Sequence, residues 1–189
     1  MTANAALPDD QGHPLVDPLA HPLVATLADG LRARGVCLAT AESCTGGLIA
    51  AACTDLAGSS DWFERGFVTY SNAAKQDLLG VPEALLDAHG AVSEPVALAM
   101  AHGALSRAPV ALAVAVTGVA GPGGGSAAKP VGLVWLAWAW RGADGRTHSR
   151  AQRQLFTGDR RAVRQATVDA ALQGLLDLLP QWPEREATP

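Results

Sequence analysis

The chain contains 189 residues, of which 49% are hydrophobic, and its formal net charge is −4; this composition fits one globular domain with a sizeable core. Because the basic residues are scattered, the sequence lacks the positive patch that is typical of direct nucleic-acid binding. It also lacks an apolar run long enough to span a membrane and a basic, signal-like N-terminus, so we expect a cytoplasmic protein with no membrane partner.

The predicted elements begin after a loose N-terminal tail over residues 1–20, which is rich in proline and aspartate and has no helical or strand periodicity. Apolar residues at helical spacing predict a helix over 22–34, and Gly35 provides its stop. An apolar segment then predicts a short strand that delivers Ser43 to a turn, followed by a helix to about residue 56.

The next segment combines a helical turn, a strand and further helices. Trp62 and Phe63 are predicted to lie in a short helical turn, and residues 66–70 in a second strand that leads to a helix containing Lys75. Two more helices are expected, over 82–90 and 93–105.

The central strand of the sheet is predicted over 110–116, where every residue is apolar. Such a strand is covered on both faces, so it must lie between helices. A loop of small residues follows over 117–126, and then a further strand over 133–140. A hairpin turn at 141–145 predicts an antiparallel strand over 146–156, nearer an edge of the sheet.

A final helix is predicted from Asp159, with an apolar stripe that ends at Leu179, before a C-terminal tail over 181–189. The residues therefore predict one α/β domain over 21–180 with a mixed, mostly parallel sheet. In such sheets ligands lie at the carboxyl ends of the strands. This rule would bring the loops at Ser43, Tyr70 and Gly121 together on one edge.

Ser43 has two possible roles at its predicted position near a helix start. Its hydroxyl could cap the helix, or it could attack a carbonyl group whose oxyanion is held by backbone N–H groups near residues 44–46. A nucleophilic serine needs a base, and no histidine lies in a recognisable motif. Lys75 and Lys129, the only lysines, are the candidate bases, and Tyr70 could relay a proton.

The glycine-rich loop at 121–125 matches neither a Walker loop nor a dinucleotide fingerprint. It is either a flexible linker or a ligand loop. Lys129 beside it could make it a phosphate site, and Arg160 and Arg164, one helical turn apart, could contribute or could be ordinary solvated arginines.

The three cysteines, Cys37, Cys44 and Cys53, are an odd number in one strand-turn-helix segment without metal-like spacing to histidines. This favours buried free thiols over a redox or metal site. No metal ligand set is predicted.

Five co-ordered segments together resemble the CinA C-terminal domain family, and the similarity spans roughly residues 23–179. They are AESCTGG at 41–47, GFVTYSNAAK at 66–75, GAVSEP at 90–95, TGVAGPGGGS at 117–126 and KPVG at 129–132. One departure is Gly123, where many relatives carry an acidic residue. The chain is more similar to the stand-alone form than to the larger family protein, which has an additional N-terminal domain.

The resemblance implies a three-layer α/β/α sandwich that hydrolyses the carboxamide of nicotinamide mononucleotide to nicotinate mononucleotide and ammonia. In the family, the residue matching Ser43 is the nucleophile, and those matching Tyr70 and Lys75 assist it. No cofactor or metal is implied, and a homodimer is possible. The candidate substrate-binding residues are Cys44, Thr45, Gly46, Thr117, Gly118, Gly121, Gly124, Gly125, Lys129, Arg160 and Arg164.

A second function stays open at this point, because the family is also linked by name to competence and DNA damage. The chain could then be a non-catalytic module that binds a nucleotide or a protein. The acidic net charge of −4 argues against direct DNA binding but says nothing about protein partners.

Overall fold

The computed structural model describes residues 21–183, which form six helices and five strands joined by short connections. The helices are α1 (Pro22–Arg34), α2 (Leu48–Thr54), α3 (Asn72–Leu79), α4 (Glu83–His89), α5 (Glu94–Arg107) and α6 (Arg160–Leu176). The strands are β1 (Leu38–Glu42), β2 (Phe63–Val68), β3 (Leu112–Gly118), β4 (Leu133–Arg141) and β5 (Thr147–Leu155). Two 3₁₀ turns cover Ser59–Asp61 and Leu179–Gln181.

The five strands form one sheet in the order β2-β1-β3-β4-β5. Strand β1 pairs in parallel with β2 and β3, whereas β3–β4 and β4–β5 are antiparallel pairs. Only β4 therefore runs against the other strands. The prediction of a mixed, mostly parallel sheet is confirmed, and so is the hairpin that places β5 at an edge.

Helices cover both faces of the sheet and give the α/β/α sandwich. Helices α1, α2 and α6 pack on one face around large side chains such as Leu136 and Trp138. Helices α3, α4 and α5 cover the other face, where the strands present mainly alanines, including Ala113 and Ala115. Small side chains let α5 approach the sheet closely, and this helix contacts β1, β3 and β4. Strand β3 is buried on both faces, as its apolar sequence predicts.

The helical turn predicted for Trp62 and Phe63 is wrong. The 3₁₀ turn ends at Asp61, and Phe63 is already the first residue of β2, paired with Leu38. The Trp62 carbonyl accepts a hydrogen bond from Leu38 N–H at 2.7 Å, and the Trp62 side chain is buried. Pairing with β1 and burial of the indole outweigh the local turn signal, so β2 starts three residues before the predicted strand.

The ordered domain continues past the predicted boundary at residue 180. Trp182 packs against the core, and its Nε1 donates to the carbonyl of Arg141 at 3.2 Å. The tail predicted over 1–20 and residues 184–189 of the tail predicted over 181–189 lie outside the described residues. Within residues 21–183, no helix has the length and apolar character that crossing a membrane requires.

Candidate active site

The carboxyl ends of β1, β2 and β3 share one edge of the sheet because these three strands are parallel neighbours. The loops that follow them enclose a cavity of about 250 Å³. The candidate residues in its lining are Ser43, Cys44, Tyr70, Lys75, Thr117, Gly118 and Arg160. The structure thus brings residues from all three predicted loops into one place.

Lys75 lies directly beside Ser43. Its Nζ is 3.1 Å from Ser43 Oγ and donates a second hydrogen bond to the carbonyl of Thr69 at 2.9 Å. Helix α3, which is capped by the Ser71 hydroxyl, carries Lys75 into the interior, where its side chain is 1% exposed. Burial lowers the pKa of Lys75 because it penalises the charged ammonium, an effect that the Cys44 thiol opposes when ionised. A neutral amine in this position can accept the serine proton.

Ser43 is not a helix cap. Helix α2 begins at Leu48, its N-cap is Gly47, and no side chain caps it. Ser43 instead continues the edge of β1, since its N–H donates to the carbonyl of Val116 at 3.1 Å. The capping alternative for Ser43 is therefore wrong, and its hydroxyl is available to Lys75.

The prediction that N–H groups near residues 44–46 hold an oxyanion is wrong for Gly46, and the amides that follow it are also used within the protein. The N–H groups of Gly47, Ile49 and Ala50 all donate to the buried carboxylate of Glu42, and Gly46 N–H donates to the carbonyl of Ser43. In this turn the amides of residues 44 and 45 remain as candidate oxyanion donors, and both also face the sulfur of Cys44. Sequence reasoning missed Glu42; an acidic residue shortly before a glycine pair and a helix was the available signal.

The hydroxyl of Tyr70 is bonded away from the Ser43–Lys75 pair. Tyr70 is 63% exposed at the mouth of the cavity, and its hydroxyl accepts a hydrogen bond from Arg160 at 2.9 Å. The other terminal nitrogen of Arg160 donates to the carbonyl of Gly121, also at 2.9 Å. These contacts suit a boundary of the binding site better than a proton relay.

A second cavity, of about 940 Å³, adjoins the first, and Ala120 and Arg160 line both. Three arginines face it: Arg160, Arg161 and Arg164. Arg164 also donates to the carbonyl of Thr45 at 2.6 Å, while its buried Nε has no hydrogen-bond partner among the described residues. This cavity can hold an anionic group. Arg161 was absent from the sequence predictions because a third arginine in an exposed helix turn carries no distinguishing pattern.

Several predicted binding residues of the glycine-rich loop line neither cavity. Gly124, Gly125 and Lys129 are absent from both linings, and Lys129 Nζ donates to the carbonyl of His89 at 2.6 Å. Gly121 reaches the site through its carbonyl group alone. A Cβ at Gly123 would have no atom within 4 Å, so the acidic residue that the family resemblance implies would fit there without steric conflict.

All three cysteines are free thiols, and Cys44 and Cys53 are buried. Burial raises the pKa of Cys44 to about 12, so this thiol stays protonated at neutral pH although it lies beside Ser43. Within residues 21–183, no three His, Cys, Asp or Glu side chains are grouped as a metal site.

We expect Cys44→Ala to keep most of the activity of the site, because a thiol with a pKa near 12 is a poor nucleophile. Steady-state rates of the variant and of a matched Cys53→Ala control would test this expectation. A folded but inactive Cys44→Ala protein beside an active Cys53→Ala protein would contradict the prediction that Ser43 is the nucleophile and favour Cys44.

Comparison with known proteins identifies the family. A model of the CinA C-terminal domain matches residues 20–179. The chain belongs to the CinA C-terminal domain family. The resemblance noted in the sequence is therefore confirmed, over nearly the same residues.

Relatives of this CinA-family chain include named proteins and solved structures. A protein of Escherichia coli K12 named nicotinamide-nucleotide amidohydrolase PncC is 54% identical over 149 residues, 79% of this chain and 88% of that protein. A Pseudomonas putida protein of the same name is 57% identical over 152 residues, 80% and 92% of the two chains. The crystal structure of the competence/damage inducible protein CihA from Agrobacterium tumefaciens superposes with a TM-score of 0.75 at 49% identity, covering 84% of this chain and 97% of that one.

Proposed function

We propose that this CinA-family protein hydrolyses the carboxamide of nicotinamide mononucleotide to nicotinate mononucleotide and ammonia, with Ser43 as the nucleophile. The observation that carries the proposal is the 3.1 Å contact between Ser43 Oγ and the buried Lys75 Nζ, in a cavity that adjoins an arginine-lined one. The names of the E. coli and P. putida relatives support the same substrate.

The reaction begins when Lys75 accepts the proton of Ser43 and Ser43 Oγ bonds to the carboxamide carbon. The negative charge on the carbonyl oxygen is stabilised by the amides of residues 44 and 45. Lys75 then returns the proton to the departing nitrogen, the C–N bond breaks, and ammonia leaves. Water attacks the nicotinoyl ester with Lys75 again as base, which releases the carboxylate product and restores Ser43. The proposed steps use only these groups and water.

The substrate spans the two cavities in this proposal. The pyridine carboxamide enters the cavity of about 250 Å³ at Ser43, and the phosphate lies among the arginines of the larger cavity. Arg160 lines both cavities, and its bond to Tyr70 sets the boundary between them. We therefore assign Tyr70 to substrate positioning, and Arg160 and Arg164 to the phosphate, in place of Lys129.

The direct test is release of ammonia from nicotinamide mononucleotide by the purified chain. Addition of hydroxylamine tests the acyl-enzyme, because it competes with water for the ester and yields the hydroxamate of the product. Ammonia without any hydroxamate would contradict the serine ester while retaining the substrate. A folded protein that releases no ammonia would contradict the proposal and favour a non-catalytic binding module.

The predictions of a homodimer, a cytoplasmic location and no direct nucleic-acid binding are retained.

We expect Arg160→Ala to raise the KM for nicotinamide mononucleotide by roughly 10-fold to 100-fold, the size of one lost charge-assisted hydrogen bond. The KM for the riboside, which has no phosphate, should change much less. Steady-state kinetics on both substrates measure the difference, with Arg153→Ala on β5 as a control that lines neither cavity. Two results would contradict the placement of the phosphate at Arg160. One is an Arg160→Ala variant whose KM rises equally for both substrates. The other is a KM increase that is specific to the phosphorylated substrate and occurs in Lys129→Ala but not in Arg160→Ala.

A further inference from the structure

We propose that Glu42 is a positioning residue for this reaction, which holds Ser43 and Lys75 in the geometry for proton transfer. The inference rests on the proposed role of Ser43 as the nucleophile. Glu42 is the last residue of β1 and directly precedes Ser43, yet its side chain is 1% exposed and does not line the Ser43 cavity. It therefore acts through its neighbours rather than on the substrate.

The carboxylate of Glu42 is saturated with hydrogen-bond donors. Its Oε2 accepts from Thr45 Oγ1 at 2.7 Å, Gly47 N at 2.9 Å and Ile49 N at 3.1 Å. Its Oε1 accepts from Ala50 N at 2.8 Å and Thr40 Oγ1 at 3.4 Å. A buried carboxylate without this degree of hydrogen bonding would be costly, and three of the donors are the amides at the positive end of α2.

These hydrogen bonds tie both ends of the turn that contains Ser43 to the same carboxylate. The chain leaves β1 at Glu42, makes the turn that contains Ser43, and returns to the same carboxylate at Thr45, Gly47 and the first turn of α2. Gly46 and Gly47 have φ values of 61° and 98°, which only glycine adopts readily, so they provide the backbone path. The carboxylate fixes the two ends of that path, and Ser43 lies between them.

The main chain of Glu42 is linked to Lys75 through Thr69. Its carbonyl accepts a hydrogen bond from Thr69 N–H at 2.8 Å, and the carbonyl of Thr69 in turn accepts from Lys75 Nζ at 2.9 Å. Glu42 therefore links the Ser43 turn, through its side chain, to the residue that orients Lys75, through its backbone. Loss of the carboxylate would free the turn on the Ser43 side and leave the Lys75 side in place.

The first test is Glu42→Gln, which keeps the size of the side chain but turns one acceptor oxygen into an NH₂ group that faces N–H donors. We expect kcat on nicotinamide mononucleotide to fall roughly 100-fold, as a misplacement of about 1 Å at a reacting group can produce. The KM should change by less than about 3-fold, because the three arginines of the larger cavity lie on α6 and only Leu48 of its lining belongs to the segment that Glu42 holds. The control is Glu83→Gln, the same change at an exposed residue in the first turn of α4.

The second readout is labelling of Ser43 by a small fluorophosphonate, which reports the reactivity of the hydroxyl without the phosphate cavity. The labelling rate of Glu42→Gln should fall with its kcat. If wild-type protein is labelled elsewhere than at Ser43, the proposed role of Ser43 fails, and the positioning role of Glu42 fails with it; this outcome is seen in wild type alone, before any Glu42 variant is compared. If folded Glu42→Gln keeps wild-type labelling and a kcat within about 3-fold, Glu42 serves the fold alone and the inference is overturned.

Thr45→Val provides the test if Glu42→Gln does not fold, because it removes one of the five donors at nearly constant volume. We expect a several-fold loss of kcat and of the Ser43 labelling rate. Thr167→Val is the matched control, since Thr167 is equally buried and its hydroxyl donates to the Val163 carbonyl in its own helix, with no other partner within residues 21–183. Equal kcat values for the two threonine variants would contradict the positioning role.

Discussion

We expect Ser43→Ala to abolish ammonia release from nicotinamide mononucleotide, with a loss on the order of 10⁶-fold, the scale measured when a serine nucleophile is removed. The protein should stay folded, because Ser43 caps no helix and its N–H bond to Val116 is retained in alanine. Ammonia assays measure the rate, and circular dichroism measures the fold and the melting temperature.

The matched control for this experiment is Ser106→Ala. Ser106 lies on α5, and its hydroxyl bonds to the carbonyl of Gly103 in the same helix, so its loss should leave the rate unchanged. A folded Ser43→Ala protein that keeps a substantial fraction of the wild-type rate would exclude Ser43 as the nucleophile.

Lys75→Arg should collapse kcat although both residues have long basic side chains. Arginine stays protonated in proteins and cannot accept the proton of Ser43, whereas burial lowers the pKa of Lys75 and favours its neutral form. We expect a loss of roughly 10²-fold to 10⁴-fold, the usual contribution of general base catalysis. Lys129→Arg is the control, since Lys129 is the other lysine and lines neither cavity. A Lys75→Arg enzyme with near-normal kcat would rule out Lys75 as the base.

The same lowered pKa predicts how activity depends on pH. The base must be unprotonated, so kcat/KM should rise with pH and level off above the pKa of Lys75 in the free enzyme. Because that pKa is lowered, the rise should be complete at a lower pH than an ordinary lysine would require. The pH profile of wild-type protein gives the value directly.

The lowered pKa of Lys75 also predicts how the free energy of unfolding depends on pH. The unfolded chain binds the proton near the ordinary lysine pKa of about 10.4, but the folded protein binds it only at lower pH. The stability contributed by the neutral lysine is therefore present above the unfolded pKa and is lost as pH falls through the folded pKa. Denaturant unfolding of wild type and Lys75→Met should be measured across this pH range. The free energy of unfolding of wild type should fall relative to that of the variant as pH decreases.

Local patterns were enough to predict most elements of the domain. The apolar residues of α1 with Gly35 behind them, the fully apolar β3 and the turn between β4 and β5 each satisfy a rule that acts over a few residues. The local prediction failed where strand pairing with a distant residue opposed it. Phe63 was predicted to lie in a helical turn, but it belongs to β2 because it pairs with Leu38 of β1.

The candidate site was predictable as a region but not as a set of contacts. Parallel strands bring their following loops to one edge, and this rule alone places Ser43 near Tyr70 and the loop after β3. It does not distinguish Lys75 from Lys129, which both follow such strands. The hydrogen bond from Arg160 to the Tyr70 hydroxyl joins residues 90 positions apart, and no spacing in the sequence predicts it.

The sequence by itself determined the α/β character of the protein, the strand-turn-helix around Ser43 and, through five co-ordered motifs, the family, because these depend on residue types at short and fixed spacings. The tertiary structure decided that Lys75, 32 residues from Ser43, is the lysine that reaches it, while Lys129 bonds to His89. It also decided that the carboxylate of Glu42 accepts hydrogen bonds from the backbone amides at the start of α2. Both outcomes depend on which way buried side chains point between packed strands and helices, and that direction is set by contacts distant in the chain.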